Sequence, residues 1–495
     1  MPIRVVFLAA ECEPWAKTGG LADVVDALAR ALGRLGGDAI ETPVDVFLPR
    51  YRNVPEPASV ERAVTLAVPD PRAPSGHSPV SVLDVPGNGY RLRLIELPSA
   101  FDRAGLYGDA TGDYADNAWR FGMFCRAALE ALRADARPVD VLHLHDWHAG
   151  PAAIFRDARY ADDPIIGGAA MVMTVHNLAY HGWTPRSGLA QLGLRPGDGV
   201  VPVGADGIDL LRAGIERSEL VNTVSPGFAA EALTPDFGMG LDATLRAMGD
   251  RFVGILNGLD TTVWDPATDP DLAAPYARGN LAGKPACRAD LLARVGFDAA
   301  DPGAVIGMIG RLDPQKGFDL LSGAAATLLD RGARLVIQGS GDPALAGPFR
   351  ALASANPDRV ALIERFDRAM ARRIYAGVDF FAMPSRFEPC GQGQMIALRY
   401  GTPPIVRRTG GLADTVVDET ANPGRGTGFV FEEASVAALI AACEAAIGFR
   451  AEGGRAWAGL LDRGMTIDFD WTTGSAPRYV EAYRRAVSIR TAREP

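Results

Sequence analysis

Short runs of β-branched and apolar residues alternate along this chain with longer helical patterns, and that alternation admits few folds. Parallel strands need crossover connections of helix length, so such a rhythm predicts parallel sheets with helices packed on both faces. The first series reads as strands at Ile3–Ala10, Val44–Leu48, Arg91–Leu97, Val139–His145, Ala170–Val175 and Leu220–Val224, with helices at Leu21–Leu35 and Asp116–Arg133. A second series runs through Val305–Ile309, Arg334–Gln338, Val360–Ile363, Asp379–Met383, Pro404–Val406 and Gly428–Phe431. The expected class is α/β: two Rossmann-like doubly wound domains facing a cleft. Asn257-Gly258 and a stretch rich in Pro, Asp and Ala at Asp265–Pro285 suit a connector. The expected division is therefore 1–260, 261–475, and a C-terminal helix over 476–495, amphipathic from Ala476 to Arg493, that crosses back to the first domain.

Composition narrows the function. Fifty Lys plus Arg against sixty Asp plus Glu gives a net charge of −10. No overall basic field is available to hold a polyanion, so nucleic acid is not an expected partner. The apolar run Val5–Ala10 ends at Glu11 without a signal-peptide cleavage pattern, and no stretch reaches the ~18 apolar residues of a membrane span. Five cysteines (Cys12, Cys125, Cys287, Cys390, Cys443) lie far apart, which reads as reduced thiols. A cytoplasmic protein with no membrane partner is expected.

Several loops concentrate chemistry. Glu11 to Gly20 follows the first strand and opens a helix. Its paired glycines, Gly19 and Gly20, let backbone N–H groups approach an anion, and Lys17 adds a mobile charge; an ordinary glycine turn is the competing reading. Five of the six histidines (His143, His145, His148, His176, His181) fall within one short span. His143 and His145 are expected on opposite faces, so polar contacts lining a cleft are favoured over a metal site. In Gly310–Gly317, Arg311 can fork two phosphate oxygens and Lys316 can reach from the next helix start. The densest segment, Met383–Met395, places Glu388 at a strand's carboxyl end, where it can accept bonds from sugar hydroxyls. Cys390 beside it reads as a packing residue, since no base can be assigned to it. One hexapeptide occurs twice, as Thr18–Asp23 and Thr409–Asp414, each time where a loop enters a helix. Two such loops are expected to face each other across the cleft.

Together these motifs resemble the bacterial members of the glycogen/starch synthase family, retaining glucosyltransferases. Lys17–Val24 is similar to KTGGLADV, His143–Gly150 to HxHDWHAG, Thr174–Gly182 to TVHNLAYxG, Ser385–Gly391 to SRFEPCG and Arg407–Val416 to RRTGGLADTV. Val224–Pro226, Leu256–Gly258 and Arg311–Gly317 extend the likeness from residue 3 to about residue 485. The resemblance implies a GT-B architecture, no cofactor and no metal. It implies transfer of glucose from ADP-glucose to the non-reducing end of an α-1,4-glucan such as glycogen, with retention; another donor, for example UDP-glucose, is the alternative.

The resemblance also implies roles. Lys17, Gly19 and Gly20 meet the donor's phosphate and glucosyl end, with Glu11 and Asp23 shaping that loop or the acceptor side. Arg311 and Lys316 neutralise the diphosphate. Asp146, His176 and Asn257 line the glucosyl pocket, Tyr107 lies near the sugar, and Glu388 binds its hydroxyls and supports the transition state. Phe366 stands where a tyrosine often stacks on adenine. Cys390, Gly391, Gly393, Gln394, Thr409, Gly410 and Gly411 complete the substrate-binding set. Two further departures from the pattern stand out: Gln392-Gly393 replaces an apolar residue and threonine, and Ile396 stands where the wider superfamily has a second acid.

Overall fold

The computed structural model describes residues 2–195, 198 and 207–492. They form two compact units. One contains the residues through Val224, Ala229–Gly258 and those from Trp471 onward; the other contains Ser225–Phe228 and Leu259–Asp470. Arg493, the expected end of the last helix, lies outside the described residues, as do the two residues after it.

The first unit is built on a sheet of nine strands among the described residues. They are β1 (Val5–Leu8), β2 (Val44–Pro49), β3 (Arg62–Pro69), β4 (His77–Pro86), β5 (Tyr90–Glu96), β6 (Val141–His145), β7 (Ala170–Val175), β8 (Leu220–Thr223) and β9 (Phe252–Gly254). Their order is β9-β8-β7-β6-β1-β2-β5-β4-β3. Only β3 with β4, and β4 with β5, pair antiparallel. Central strands such as β1, β2 and β7 are buried along their whole length, as expected where helices cover both faces. The hairpin β3–β4 was not expected: β3 is largely exposed, with burial at alternate positions, so it lacks the continuous apolar run that marked the others. The short edge strand β9 was missed for want of length.

The helix Gly20–Leu35 carries Leu21, Val24, Val25, Leu28 and Leu32 at helical spacing and buries that stripe. The helix Ala476–Thr491 also belongs to this unit and buries Tyr479 and Tyr483 completely. Tyr479 Oη accepts a bond from Asn222 Nδ2 on β8 at 3.2 Å, and Tyr483 Oη lies 2.9 Å from His143 Nδ1 on β6.

The second unit holds β10 (Val305–Leu312), β11 (Arg334–Gly341), β12 (Val360–Ile363), β13 (Phe380–Met383), β14 (Pro404–Arg407) and β15 (Phe429–Phe431). All pair parallel, in the order β12-β11-β10-β13-β14-β15. Ile306, Phe318, Leu321, Leu335, Ile337, Phe380 and Ile405 form a core on one face, while Leu291, Leu292, Val305, Val336, Ile374 and Val378 pack on the other. Adjacent residues of β10 and β11 thus feed opposite layers, and each fully buried aliphatic or Phe side chain contributes about 1.5–3 kcal/mol. No helix among the described residues is long and apolar enough to cross a membrane.

Candidate active site

In the first unit the site grows from the carboxyl ends of β1, β6 and β7. After β1 the chain turns so that the Glu11 side chain is buried. Its carboxylate accepts four hydrogen bonds: from Thr18 N and Thr18 Oγ1 at 2.6 Å, from Gly19 N at 3.1 Å and from Tyr107 Oη at 2.6 Å. A carboxylate has about four such acceptor positions, so Glu11 is fully used in tying the glycine loop to Tyr107. Lys17 is half-exposed and lies 2.6 Å from Asp23 and 3.2 Å from Glu13. Gly19 and Gly20 have open space around them: a Cβ at either position would meet nothing within 4 Å. Gly19 is extended, at φ −153°, and no side chain caps the helix that follows. Folding therefore does not demand glycine there, and the first backbone N–H groups of the helix are left without a side-chain cap.

At the end of β6, Asp146 opens the helix Asp146–Arg159 with φ +56°. Its Oδ1 accepts the backbone N–H of His176 at 2.7 Å. Burial pushes this carboxyl up to about 7, against the pull of the backbone N–H groups of His176 and Asn177. His176 Nε2 lies 3.0 Å from His145 Nδ1, and burial lowers the His176 imidazole to about 3, so it is neutral. The Tyr107 ring stacks on His148, with centroids 4.6 Å apart. Asn257 is buried, and its Oδ1 has no partner.

One expectation is corrected here. His143 and His145 do not point to opposite faces; residues two apart on a strand share a face, and their ring centroids lie 4.1 Å apart. His181 stands away from this group. Its Nδ1 lies 2.6 Å from Asp209 Oδ2, a contact that raises its pKa, while Asp209 Oδ1 caps the helix Leu210–Arg217 through Arg212 N.

The second unit gathers its groups at the carboxyl ends of β10 and β13. Arg311, at the end of β10, is 64% exposed and lies 3.4 Å from Asp313. The chain then makes a single 3-10 turn at Pro314–Lys316, capped by Asp313 accepting Gln315 N at 2.8 Å. Gly317 follows at φ +72°, and a Cβ there would lie 2.1 Å from the Pro384 carbonyl oxygen. This close approach brings Lys316 to Glu388: Nζ donates to Oε2 at 2.6 Å, and Ser385 Oγ donates to the same oxygen at 3.1 Å. Glu388 is buried.

The Glu388 loop rests on the second hexapeptide copy. Gly411 N donates to the Glu388 carbonyl at 3.0 Å. A Cβ on Gly410, at φ +43°, would lie 2.2 Å from that carbonyl oxygen, and one on Gly411 2.1 Å from the Cys390 carbonyl oxygen. Thr409 and Cys390 are buried with them. Gln394 Nε2 clamps the loop by donating to Cys390 O at 3.0 Å, Gly391 O at 3.2 Å and Thr415 Oγ1 at 3.1 Å. Gly391 takes φ +72°. Gly393 opens the helix Gly393–Arg399, where an added Cβ would lie 2.9 Å from the Phe381 ring. Phe366, in the loop after β12, is 83% exposed.

The sequence thus pointed to Lys316 and Glu388 separately but not to their pairing across 72 residues. Ser385 was missed as a donor to Glu388, although it stood three residues away in a quoted motif. Asp414 was missed too: its Oδ2 accepts Gly227 N at 2.7 Å and ties Ser225–Phe228 into this unit.

Comparison with known proteins places the chain in a family. A family model described as the starch synthase catalytic domain matches residues 4–247, and one described as glycosyl transferases group 1 matches residues 303–448. A glycogen synthase of Syntrophotalea carbinolica is 41% identical over 500 residues, covering 98% of this chain and 99% of that one. One from Anaeromyxobacter dehalogenans is 43% identical over 498 residues, covering 97% and 99%. The catalytic domain of starch synthase IV from Arabidopsis thaliana, solved with ADP and acarbose, aligns at 35% identity and a TM-score of 0.87, covering 99% of this chain and 100% of that one. Sucrose-phosphate synthase from Thermosynechococcus elongatus, at 18% identity and a TM-score of 0.60 with 98% and 99% covered, shares the GT-B fold. The chain belongs to the glycogen/starch synthase family of retaining glycosyltransferases.

Proposed function

We propose that the chain extends an α-1,4-glucan by moving glucose from ADP-glucose to the 4-hydroxyl of its non-reducing end, and that it does so in the cytoplasm. The observation that carries this reading is the arrangement at the ends of β10 and β13. There a buried carboxylate, Glu388, is held by Lys316 and Ser385, and an exposed Arg311 stands at the end of β10. As the donor's C1–O bond breaks, negative charge builds on the β-phosphate while the sugar becomes oxocarbenium-like. Arg311 and Lys316 are the cations for that phosphate, and Glu388 accepts bonds from glucose hydroxyls on the side that becomes positive. Phe366 offers its exposed ring to the adenine, and the solved starch synthase relative holds ADP.

Retention through a covalent intermediate calls for a free carboxylate as nucleophile. In the first unit Glu11 has its acceptor positions filled, and Asp146 is bound to backbone N–H groups and drawn toward its neutral form. These constraints favour attack on the same face that ADP leaves, with the departing phosphate taking the acceptor's proton. His176, neutral, and Asn257, with an unused oxygen, are assigned to the glucosyl hydroxyls, and Lys17, Gly19 and Gly20 to the donor's phosphate and glucosyl end.

The test is transfer of radiolabel into glycogen from ADP-glucose and UDP-glucose side by side. ADP-glucose is expected to win by up to about tenfold in kcat/KM, since an aromatic stacking contact is worth about 0.5–1.5 kcal/mol and the larger purine covers more of the Phe366 ring. Equal or faster transfer from UDP-glucose overturns the donor assignment, and no incorporation from either overturns the reading as a whole.

A further inference from the structure

His145, at the end of β6, is fully buried. His145 Nδ1 lies 3.0 Å from His176 Nε2, and the other nitrogen of His145, Nε2, is buried with no partner. The His145 ring is packed between Phe7 and His143, at centroid distances of 5.1 and 4.1 Å. Burial keeps all three imidazoles neutral.

A neutral imidazole carries one ring proton, so the 3.0 Å contact has two arrangements. If His176 donates from Nε2, His145 accepts at Nδ1 and must hold its own proton on Nε2, a buried N–H with nothing to receive it. If His145 donates from Nδ1, only a lone pair is left unused at Nε2. Orphaned buried N–H groups are rarer than under-used acceptors, so the second arrangement wins. His143 gives His145 no alternative partner. Thr174 Oγ1 donates to Asn222 Oδ1 at 2.8 Å, which leaves its oxygen to accept the His143 Nε2 proton at 2.6 Å. His143 Nδ1 then accepts the Tyr483 hydroxyl at 2.9 Å, and both of its ring nitrogens are used.

We infer that His145 is a positioning residue for glucosyl transfer: it donates Nδ1–H to His176 Nε2, so that His176 keeps its single proton on Nδ1 and presents it as a donor to a glucosyl hydroxyl. The last step rests on the function proposed above; the tautomer does not. His176 acts in this arrangement as a fixed neutral donor and moves no proton.

The test uses the full-length chain with 15N-labelled histidine. Long-range proton–nitrogen correlations report which ring nitrogen is protonated, and replacing the six histidines one at a time assigns the signals. Protonated Nδ1 on both His145 and His176, with protonated Nε2 on His143, is expected; His176 protonated on Nε2 overturns the inference. A kinetic pair reads the consequence. His145→Phe keeps a packed ring but no donor, and His145→Asn restores an amide N–H near the lost one. The Phe variant is expected to lose about 10- to 100-fold in kcat, the range for one unmade hydrogen bond at a buried site, with KM for ADP-glucose within about threefold. The Asn variant should recover most of that loss. Equal loss in both variants, or none in either, overturns the inference. Should the wild type not use ADP-glucose, the proposed function fails while the spectrum still decides the tautomer, as it does if the Phe variant does not fold.

Discussion

The same six residues, Thr-Gly-Gly-Leu-Ala-Asp, do opposite work in the two units. In the first copy the glycines border open space, and the helix they start runs for 16 residues, Gly20–Leu35. In the second they lie under the Glu388 loop, and the helix ends after six residues, Gly410–Thr415. The carboxylates beside them differ as well. Glu11 and Asp146 are answered by neutral N–H and O–H donors, whereas Glu388 is answered by the cation of Lys316. A short motif therefore specifies a loop-to-helix geometry and not a role. The difference lies in what stands in front of the glycines, open space in one case and a carbonyl in the other.

The sharpest way to break this contrast is to add a methyl group to each copy. Gly410→Ala and Gly411→Ala drive a Cβ into backbone oxygens, and Gly410 also has left-handed backbone. Each should lower stability by about 2–3 kcal/mol through a contact that cannot relax, with backbone strain adding to the cost at Gly410, as urea denaturation would read. Gly19→Ala and Gly20→Ala should leave the unfolding free energy within about 0.5 kcal/mol of wild type, the range for sites without packing. Their effect belongs in catalysis: kcat/KM for ADP-glucose should fall about 100-fold, as when a preorganised backbone contact to developing charge is blocked. A destabilised Gly19→Ala, or a stable Gly410→Ala, would erase the distinction between the copies.

The carboxylate contrast gives a pH prediction. Burial raises Asp146 from the usual carboxyl value to about 7, so between about pH 4 and 7 the folded chain holds a proton that the unfolded chain has released. Stability from this group is greatest at low pH, falls as pH rises through that window, and levels off above it. Asp146→Asn removes the titration. Comparing denaturation of wild type and variant at pH 5 and pH 8, the wild type should lose about 2 kcal/mol relative to the variant on going to the higher pH. An unchanged difference would show that Asp146 is ionised across the range.

Much of this organisation was legible in the sequence because it is local. The buried strands read from continuous apolar runs, and Arg311, Lys316 and Glu388 stood at strand ends where ligands of α/β sheets collect. What was not legible depends on partners brought in from elsewhere. The hairpin β3–β4 buries only alternate positions and leaves no continuous apolar run. The Lys316–Glu388 pair and the hydrogen bond from Gly411 N to the Glu388 carbonyl exist only after folding joins distant segments. The shared face of His143 and His145 was open to inference from strand period alone, and the expectation that they diverge misapplied it.

The smallest expected effect separates the last residue of each hexapeptide. Asp23 holds Lys17 in a half-exposed pair, and such pairs are worth about 0.2–1 kcal/mol, so Asp23→Asn should barely move the denaturation midpoint. It does release Lys17 from one of its two carboxylates, leaving Glu13 at 3.2 Å. If Lys17 serves the donor, KM for ADP-glucose should shift by a few-fold, and the shift should shrink as salt screens the charges. Asp414 accepts a backbone N–H, that of Gly227, and partial desolvation of its carboxyl raises its pKa despite that bond. Asp414→Ala leaves this N–H without its acceptor and should cost about 1–2 kcal/mol with no salt dependence, since the lost partner answers a neutral group. Identical stability losses in Asp23→Asn and Asp414→Ala would mean that the two aspartates share one structural role, and the asymmetry between the copies would then rest on the glycines alone.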